Sequence, residues 1–188
     1  MNQVEKAPFG IWTSAFSEET CNLIIEAGKQ LKSQQATVSP KKQKNTKLRQ
    51  GKISYFEKDS WVDNLLLPYV FRTNKLNKWN FNIDDSEPIQ FTEYNKKDFY
   101  TWHRDSSVNV TPQRKLSITI QLSKRSSYKG GNFKIKNMWG NTEIEIPSEA
   151  NEQGSIIIFP SFLLHQVTPV TSGTRYSLVQ WYSGPPFT

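Results

Sequence analysis

The segment Phe99-Tyr100-Thr101-Trp102-His103-Arg104-Asp105 is a run of aromatic and β-branched residues that ends in a His-x-Asp pair. Residues i and i+2 of a strand project to the same face, so His103 and Asp105 can direct an imidazole nitrogen and a carboxylate oxygen to one point. The chain has two histidines, and the other, His165, lies sixty positions beyond Asp105. It follows the apolar run 156–159, which predicts a buried strand of the same sheet system. The sequence therefore predicts that these three side chains converge.

Two histidines and one carboxylate are a donor set for a transition metal. Bound to one face of an octahedral ion, they leave three positions open, which suits Fe(II) that must hold a bidentate co-substrate and then dioxygen. Zinc is the alternative metal, because it accepts the same ligands. A closed structural zinc site needs a fourth protein ligand, and the single cysteine, Cys21, is distant in sequence. Taken singly, each histidine is also compatible with a surface position or a hydrogen-bonded core position.

Arg175 and Ser177 follow His165 at ten and twelve residues. In a strand they share a face, and a planar guanidinium beside a hydroxyl is a good receptor for a carboxylate end group. The alternative is an arginine that faces outward from an exposed strand. Tyr94 offers a phenolic donor to the same carboxylate, or else belongs to the core.

Five segments together resemble the 2-oxoglutarate and Fe(II)-dependent oxygenases of the prolyl 4-hydroxylase type: residues 94–105, 116–123, 130–133, Phe159-Pro160 with His165, and 175–182. The likeness covers about the last hundred residues. The resemblance implies a double-stranded β-helix fold. It implies that His103, Asp105 and His165 bind Fe(II), that Arg175 holds 2-oxoglutarate, and that Trp181 lies near the iron and the substrate.

The same resemblance extends to further residues and cofactors. O2 is the other co-substrate it implies, and ascorbate is a further candidate. Candidates for contact with 2-oxoglutarate are Ser177, Tyr94 and Thr119, and candidates for contact with the substrate are Trp181, Trp102 and Tyr100. Some relatives place a phenolic or lysine donor in the strand after the His-x-Asp pair, where this chain carries Ser117, Thr119 and Gln121, and which of these touches 2-oxoglutarate stays open. Residues 48–56 are similar to an Arg-x-Ser strand of the family, but Gly51 replaces the serine.

The activity that the resemblance implies is hydroxylation of an unactivated C–H bond with release of succinate and CO2. The resemblance favours a prolyl residue of a protein or peptide as the target, and an extended proline-rich segment would then lie along an aromatic groove that includes Trp181. The alternatives are an oxygenase that acts on nucleic acid or on another amino-acid side chain, and a catalytically silent binding module. Nucleic-acid oxygenases of this kind typically carry a second arginine six residues after the first, and this position is Trp181.

Two helices are predicted before residue 80. Ser17 is an N-cap that opens a helix to Leu31, with Ile24, Gly28 and Leu31 along one face. The second helix runs from about Ser60 towards Trp79, with a kink or break at Pro68. Its inward residues are expected to be Leu65, Leu66, Tyr69 and Leu76.

After Asn80, short apolar and β-branched runs alternate with turn residues, which favours antiparallel β-structure. Eight strands are predicted: Ile89–Tyr94, Phe99–Arg104, Lys115–Leu122, Asn132–Lys136, Thr142–Ile146, Ser155–Phe159, Leu164–Val170 and Arg175–Tyr182. The predicted fold class is mainly β, a double-stranded β-helix or jelly roll of about eight strands with two or more N-terminal helices packed outside. Residues 1–188 are expected to form one domain, in which 1–80 are a helical support region with a basic linker at 32–50 and 81–188 are the core.

The formal charge of +7 is concentrated in one segment. Residues 29–52 contain eight lysines and arginines and no acidic residue, so the remainder carries −1, which is +7 less eight. This segment is expected to be a solvated loop, a lid over the site, or a patch that attracts an acidic protein or nucleic acid. No membrane span or signal peptide is evident, and a single cysteine excludes an intrachain disulfide, which together favour the cytoplasm of the cell or host.

Overall fold

The computed structural model describes residues 8–36, 47–106, 111 and 113–186. These residues form two α-helices and fifteen strands, which confirms the mainly β prediction. The helices are α1 (Glu18–Gln30) and α2 (Trp61–Leu76), and the strands are β1 (Gly10–Trp12), β2 (Gln34–Gln35), β3 (Arg49–Gln50), β4 (Lys52–Tyr55), β5 (Asp85–Ser86), β6 (Gln90–Tyr94), β7 (Phe99–His103), β8 (Arg114–Gln121), β9 (Tyr128–Gly130), β10 (Phe133–Lys136), β11 (Glu143–Ile144), β12 (Ile156–Pro160), β13 (His165–Val167), β14 (Val170–Gly173) and β15 (Arg175–Ser183). None of the helices in the described part of the chain is both long and apolar enough to cross a membrane.

The strands are arranged in two principal sheets. The major sheet has the order β1-β12-β8-β15-β6-β4-β2, with β5 beside β15, and the minor sheet has the order β11-β10-β13-β7-β3. Strands β9 and β14 form a separate pair, and every pairing is antiparallel. A cavity between the sheets is lined by side chains of both, so the two sheets face each other as a jelly roll. The predicted double-stranded β-helix is confirmed.

Strand β8 lies in the interior of the major sheet, between β12 and β15, and its two faces have different environments. Leu116, Ile118 and Ile120 alternate along it and are fully buried in a core that also contains residues of α1 and α2. Both helices therefore pack on the outer face of the major sheet. The intervening residues, Ser117 and Thr119, are buried too, but they face the minor sheet. A strand covered on both faces explains why its polar residues must find partners inside the protein.

Helix α1 begins as predicted. The side chain of Ser17 accepts a hydrogen bond from the Thr20 amide at 3.1 Å, which satisfies one of the free N–H groups of the first turn. Ile24 and Gly28 are buried against the sheet, and Leu31 is the partly buried C-cap residue. A Cβ at Gly28 would lie 2.6 Å from the Phe91 ring, so only glycine allows the helix to approach this closely.

We expect Gly28→Ala to destabilise the protein although alanine is the better helix former. Alanine gains about 1 kcal/mol of helix propensity, whereas a forced contact in a packed core costs about 1–3 kcal/mol. The net loss, roughly 1 kcal/mol, is measurable as a lower midpoint in urea unfolding. In a Phe91→Leu background the ring is absent, and Gly28→Ala should not lower the free energy of unfolding. A higher urea midpoint for Gly28→Ala in the wild-type background would contradict this prediction, because it would show that the Phe91 ring moves aside at little cost.

Helix α2 differs from the prediction in two respects. It continues through Pro68, so of the expected kink or break the break is wrong, and the kink stays a prediction. The residues that face the core are Val62, Leu66 and Val70, at intervals of four, and their packing holds the helix together across the missing hydrogen bond. Leu65 and Tyr69 are partly buried beside them, as expected, but Leu76, the last residue of the helix, is 63% exposed, so its expected inward position is wrong.

The eight predicted strands correspond to β6, β7, β8, β10, β11, β12, β13 and β15. The predicted strand 142–146 contracts to two residues, and the predicted strand 164–170 ends at Val167, after which the chain enters β14. Pro169 separates β13 from β14, and it has no N–H to continue a ladder. The seven strands that the prediction omitted have two to four residues each.

Residues before position 80 contribute strands to both sheets. Strand β1 pairs with β12 and β4 with β6 in the major sheet, whereas β3 pairs with β7 in the minor sheet. The basic segment 29–52 is described only in part: its ends include β2 and β3, and Lys41, Lys42 and Lys44 lie outside the described residues. The expected roles of this segment as a loop, lid or patch stay predictions.

Candidate metal centre and co-substrate cavity

The two histidines are direct neighbours in the minor sheet. His103 is the last residue of β7 and His165 the first of β13, and the two residues pair in register. Their ring centroids are 4.1 Å apart. Both imidazoles point into the cavity between the sheets, as the sequence predicted.

A β-bulge in β7 decides which aromatic residue accompanies His103. His165 pairs with His103 and Val167 with Tyr100, so two residues of β7 oppose one residue of β13. The additional residue turns Tyr100 to the side of His103, and the two rings stack with centroids 3.4 Å apart. Trp102 faces away from the cavity, beneath the Lys136 ammonium at 4.6 Å from the ring centroid. Of the three aromatic residues expected near the substrate, Tyr100 and Trp181 line the cavity and Trp102 does not.

Asp105 joins the histidines through a bend in the chain. Strand β7 ends at His103, so the expected alternation along a strand is not what brings the carboxylate in. The amides of Asp105 and Ser106 both donate to the Ser161 carbonyl at 3.0 Å, which turns the chain back towards the site. The Asp105 Oδ1 is 3.5 Å from His103 Nε2, and its Oδ2 is 3.4 Å from His165 Nε2. One ligand atom from each residue lies within 4.8 Å of the others.

The protonation states suit a divalent cation. The Nδ1 of His103 is 2.8 Å from the Thr101 carbonyl, and that of His165 is 2.9 Å from the Leu163 carbonyl. A carbonyl only accepts, so Nδ1 carries the proton in both rings and Nε2 presents its lone pair to the centre. Burial, aided by His165, lowers the pKa of His103 to about 4. Burial alone would raise the pKa of the Asp105 carboxyl, but His165 and His103 hold it well below its usual range. A neutral imidazole at His103 and an ionised carboxylate at Asp105 are the forms that bind metal.

This trio fits an open metal site better than a closed one. Within residues 8–36, 47–106, 111 and 113–186, it is the one cluster of three or more histidine, cysteine or acidic side chains with this spacing. Cys21 is buried in the core between α1 and the major sheet, so it cannot be a fourth ligand. Three ligands with no fourth protein group match the facial arrangement of non-haem Fe(II) sites.

A buried guanidinium occupies a second region of the cavity. Arg175 begins β15 and is 1% exposed. Its Nη1 donates to Ser177 Oγ at 2.9 Å and its Nη2 to Gln121 Oε1 at 2.7 Å, while its Nε has no hydrogen-bond partner among the described residues. No carboxylate of the described chain lies within 4.0 Å of this guanidinium. Burying a cation without a counter-charge is costly, so the arrangement suits an anionic ligand.

The candidates for contact with the co-substrate lie around Arg175. Ser177, Tyr94 and Thr119 are buried and line the same cavity. Tyr94 is paired with Arg175 in register, and its ring centroid is 5.9 Å from the guanidinium carbon. The structure thus brings together all of the residues expected to contact the co-substrate.

The polar face of β8 connects the two regions. Ser117 donates to Asp105 Oδ2 at 2.7 Å, Gln121 accepts from Arg175, and Thr119 lines the cavity between them. Ser117 and Gln121 are four residues apart, which is about 13 Å along a strand. Of the three residues whose contact with 2-oxoglutarate the sequence left open, Thr119 is the one that lines the cavity, and the contact itself stays a prediction.

Trp181 and Arg49 also line the cavity. Trp181 lines the cavity, and its Nε1 is buried without a hydrogen-bond partner among the described residues. Arg114 covers the Trp181 ring at 4.0 Å from the centroid. Arg49, which sequence reasoning did not place in the site, also lines the cavity, with its guanidinium 4.5 Å from the centroid of Tyr100. Its two-residue strand has no periodicity that a sequence pattern could detect.

Gly51 explains one departure from the family pattern. It has a φ of +151°, and a Cβ at this position would lie 2.6 Å from the Tyr94 ring. The serine of the family pattern would therefore strike the wall of the co-substrate region. Glycine at position 51 leaves room for the Tyr94 ring. The segment 48–56 therefore places Arg49 in the cavity lining but has no serine hydroxyl at position 51.

Comparison with known proteins places the chain among oxygenases. The sequence model of the 2OG-Fe(II) oxygenase superfamily matches residues 89–183. A PKHD-type hydroxylase of Shewanella oneidensis is 36% identical over 98 residues, which are 50% of this chain and 42% of the relative. The chain thus spans about two fifths of the length of this curated relative.

Two solved structures share the fold. The viral collagen prolyl hydroxylase of Paramecium Bursaria Chlorella virus-1, in its 2OG complex, has a TM-score of 0.67 and 18% identity, over 95% of this chain and 97% of that one. A prolyl hydroxylase of Trichoplax adhaerens, in complex with a hypoxia inducible factor oxygen degradation domain peptide fragment, has a TM-score of 0.66 and 15% identity, over 97% and 86%. At these identities the likeness shows the fold. Because the family's sequence model matches more than half of the residues, this chain belongs to the 2OG-Fe(II) oxygenase superfamily.

Proposed function

We propose that the protein is an Fe(II)- and 2-oxoglutarate-dependent dioxygenase that hydroxylates a prolyl residue of a protein or peptide. The observation that carries this proposal is the pairing of two features in one cavity. An open two-histidine, one-carboxylate cluster shares it with a buried guanidinium that has no counter-charge among the described residues. A cation site and an anion site in one cavity fit a metal together with a short dicarboxylate.

His103, Asp105 and His165 would hold the metal, each through the atom already directed at the centre. Fe(II) bound there would supply the redox chemistry that couples decarboxylation of 2-oxoglutarate to succinate and CO2 with insertion of oxygen into a C–H bond. Arg175 pairs with the far carboxylate of the co-substrate, and Ser177 and Tyr94 lie where they can donate further hydrogen bonds to it. The apolar walls formed by Phe159 and Val179 limit the access of water.

The substrate is proposed to enter beside Tyr100, Trp181 and Arg49. Two aromatic faces and a guanidinium favour an extended peptide, since proline-rich segments dock on aromatic surfaces at low entropic cost. The names of the similar solved structures support a prolyl target, and one of them contains a peptide. Nucleic acid is the second candidate, suggested by the basic segment, but Trp181 stands where nucleic-acid oxygenases typically carry an arginine.

The test is incubation with Fe(II), 2-oxoglutarate, ascorbate, O2 and a peptide library that includes proline-rich sequences. We expect succinate to accumulate and mass spectrometry to find one added oxygen on proline. The matched control is His165→Ala, which should give neither product. An added oxygen on lysine, asparagine or a nucleobase would contradict the prolyl target and leave the oxygenase assignment intact. Absence of succinate with every substrate would contradict the proposed function itself.

A further inference from the structure

Two buried serines lie behind the carboxylate of the candidate metal centre. Ser117 and Ser161 are both 0% exposed; Ser117 is in β8, and Ser161 is in the turn that directly follows β12. The Ser117 hydroxyl is 2.7 Å from Asp105 Oδ2 and 2.9 Å from the Ser161 hydroxyl. No residue pattern in the sequence indicated this contact.

The direction of the hydrogen bonds follows from the number of protons. An ionised carboxylate only accepts, so Ser117 must donate its single proton to Asp105. Ser117 can then only accept from Ser161, which makes Ser161 the donor of the second bond. The result is a directed chain from Ser161 through Ser117 to Asp105 Oδ2. The other oxygen, Oδ1, is not bonded to either serine and lies 3.5 Å from His103 Nε2, a ligand atom of the candidate centre.

The main chain of Ser161 supports the same ligand. Its carbonyl accepts from the amides of Asp105 and Ser106, both at 3.0 Å, and its own amide donates to the Lys115 carbonyl of β8 at 2.9 Å. The turn that contains Ser161 also contains Leu163, whose carbonyl fixes the tautomer of His165. This short turn therefore contacts two of the three candidate ligands.

We propose that Ser117 and Ser161 are positioning residues that hold Asp105 as a one-oxygen ligand, with Oδ2 restrained and Oδ1 free for the metal. This inference rests on the proposed metal centre. A carboxylate that could rotate would be able to bind through both oxygens and occupy a position that the co-substrate or dioxygen needs. The serine pair prevents that rotation because it tethers one oxygen from behind.

The experiment measures metal binding in the absence of 2-oxoglutarate and substrate. Affinity for Mn²⁺ is determined by electron paramagnetic resonance, and ligand geometry is followed by visible absorption of the Co²⁺-loaded protein. We expect Ser117→Ala to weaken Mn²⁺ binding about 10–100-fold, the usual effect of losing an outer partner of a metal ligand, and to change the Co²⁺ spectrum. Ser161→Ala should act in the same direction with a smaller loss, since Ser117 can still donate to Asp105.

The controls separate positioning from packing. Ser155 is also 0% exposed and donates to the Glu149 carbonyl at 2.8 Å outside the site, so Ser155→Ala should leave affinity and spectrum unchanged. Ser117→Thr keeps the hydroxyl and should restore most of the affinity. Melting temperatures of the metal-free variants are recorded first, and if Ser117→Ala does not fold, Ser161→Ala and Ser117→Thr carry the test.

Two results would overturn the proposal: affinity and spectrum of both alanine variants equal to the wild type, or binding by Ser117→Thr as weak as by Ser117→Ala. The proposed function fails separately. A wild type that binds Mn²⁺ but never converts 2-oxoglutarate would contradict the activity while the serine result still holds. A wild type that binds no divalent metal would overturn both.

Discussion

Replacement of His165 by alanine should abolish turnover, with succinate formation falling to background. His165 is 5% exposed, and its Nε2 lies 3.4 Å from Asp105 Oδ2. Its removal leaves two ligands, which cannot hold a metal ion in a defined position. We expect Mn²⁺ affinity to fall by at least about 100-fold, because loss of an outer hydrogen-bond partner alone costs about 10–100-fold. Titration with Mn²⁺ and a succinate assay measure the two effects.

The matched control for this change is Gln166→Ala. Gln166 is the next residue of β13, and alternation along the strand turns it away from the cavity. It should retain both metal affinity and turnover. Near-normal Mn²⁺ binding by His165→Ala would show that the metal is held elsewhere, and the candidate centre would have to be abandoned.

Replacement of Arg175 by leucine should raise the KM for 2-oxoglutarate more than 100-fold without affecting Mn²⁺ affinity. The guanidinium is fully buried, and truncating one partner of a buried, hydrogen-bonded charge pair costs roughly 2–5 kcal/mol. Arg175→Lys should recover only part of the loss, because an ammonium group cannot reproduce the planar donor fork that reaches Ser177 and Gln121. Steady-state kinetics at varied 2-oxoglutarate, with Mn²⁺ titration alongside, separate the two quantities.

Arg125→Leu is the control for Arg175. Arg125 is partly buried and donates to carbonyl oxygens and to Asn132, but it does not line the cavity. Its loss should leave the KM for 2-oxoglutarate unchanged. If Arg175→Leu also leaves the KM unchanged, the buried cation is not the anchor for the co-substrate. If it abolishes Mn²⁺ binding as well, Arg175 supports the whole cavity and its effect is not specific.

The chemistry of the site is encoded in single residues and was therefore predictable. The chain has two histidines, and each lies in or beside a predicted strand. Asp105 follows His103 at i+2, and Arg175 follows His165 by ten residues, so few other sets of side chains in this sequence could form a metal site. The β8 segment is equally informative, because strict alternation of apolar and polar residues assigns one face to the core and the other to the cavity. Ser17 fixed the start of α1 through a local hydrogen bond.

Features that depend on a distant partner were not predictable. The bulge that selects Tyr100 over Trp102 exists only in the pairing of β7 with β13. Strands of two to four residues, such as β3 with Arg49, contain too few residues to display a period. Helix α2 passes Pro68 because contacts of its opposite face outweigh a local preference against helix.

The amino-acid sequence by itself was enough to predict the candidate donor set, the candidate carboxylate receptor and the class of fold, because residue identity and periodicity are local properties. Only the tertiary structure decided that Asp105 reaches the histidines through a bend tied to Ser161, that Ser117 restrains one of its oxygens, and that Arg175 is buried without a counter-charge among the described residues. Each of these depends on contacts between residues 12 to about 60 positions apart in the chain. Such contacts form only when the two sheets close on each other.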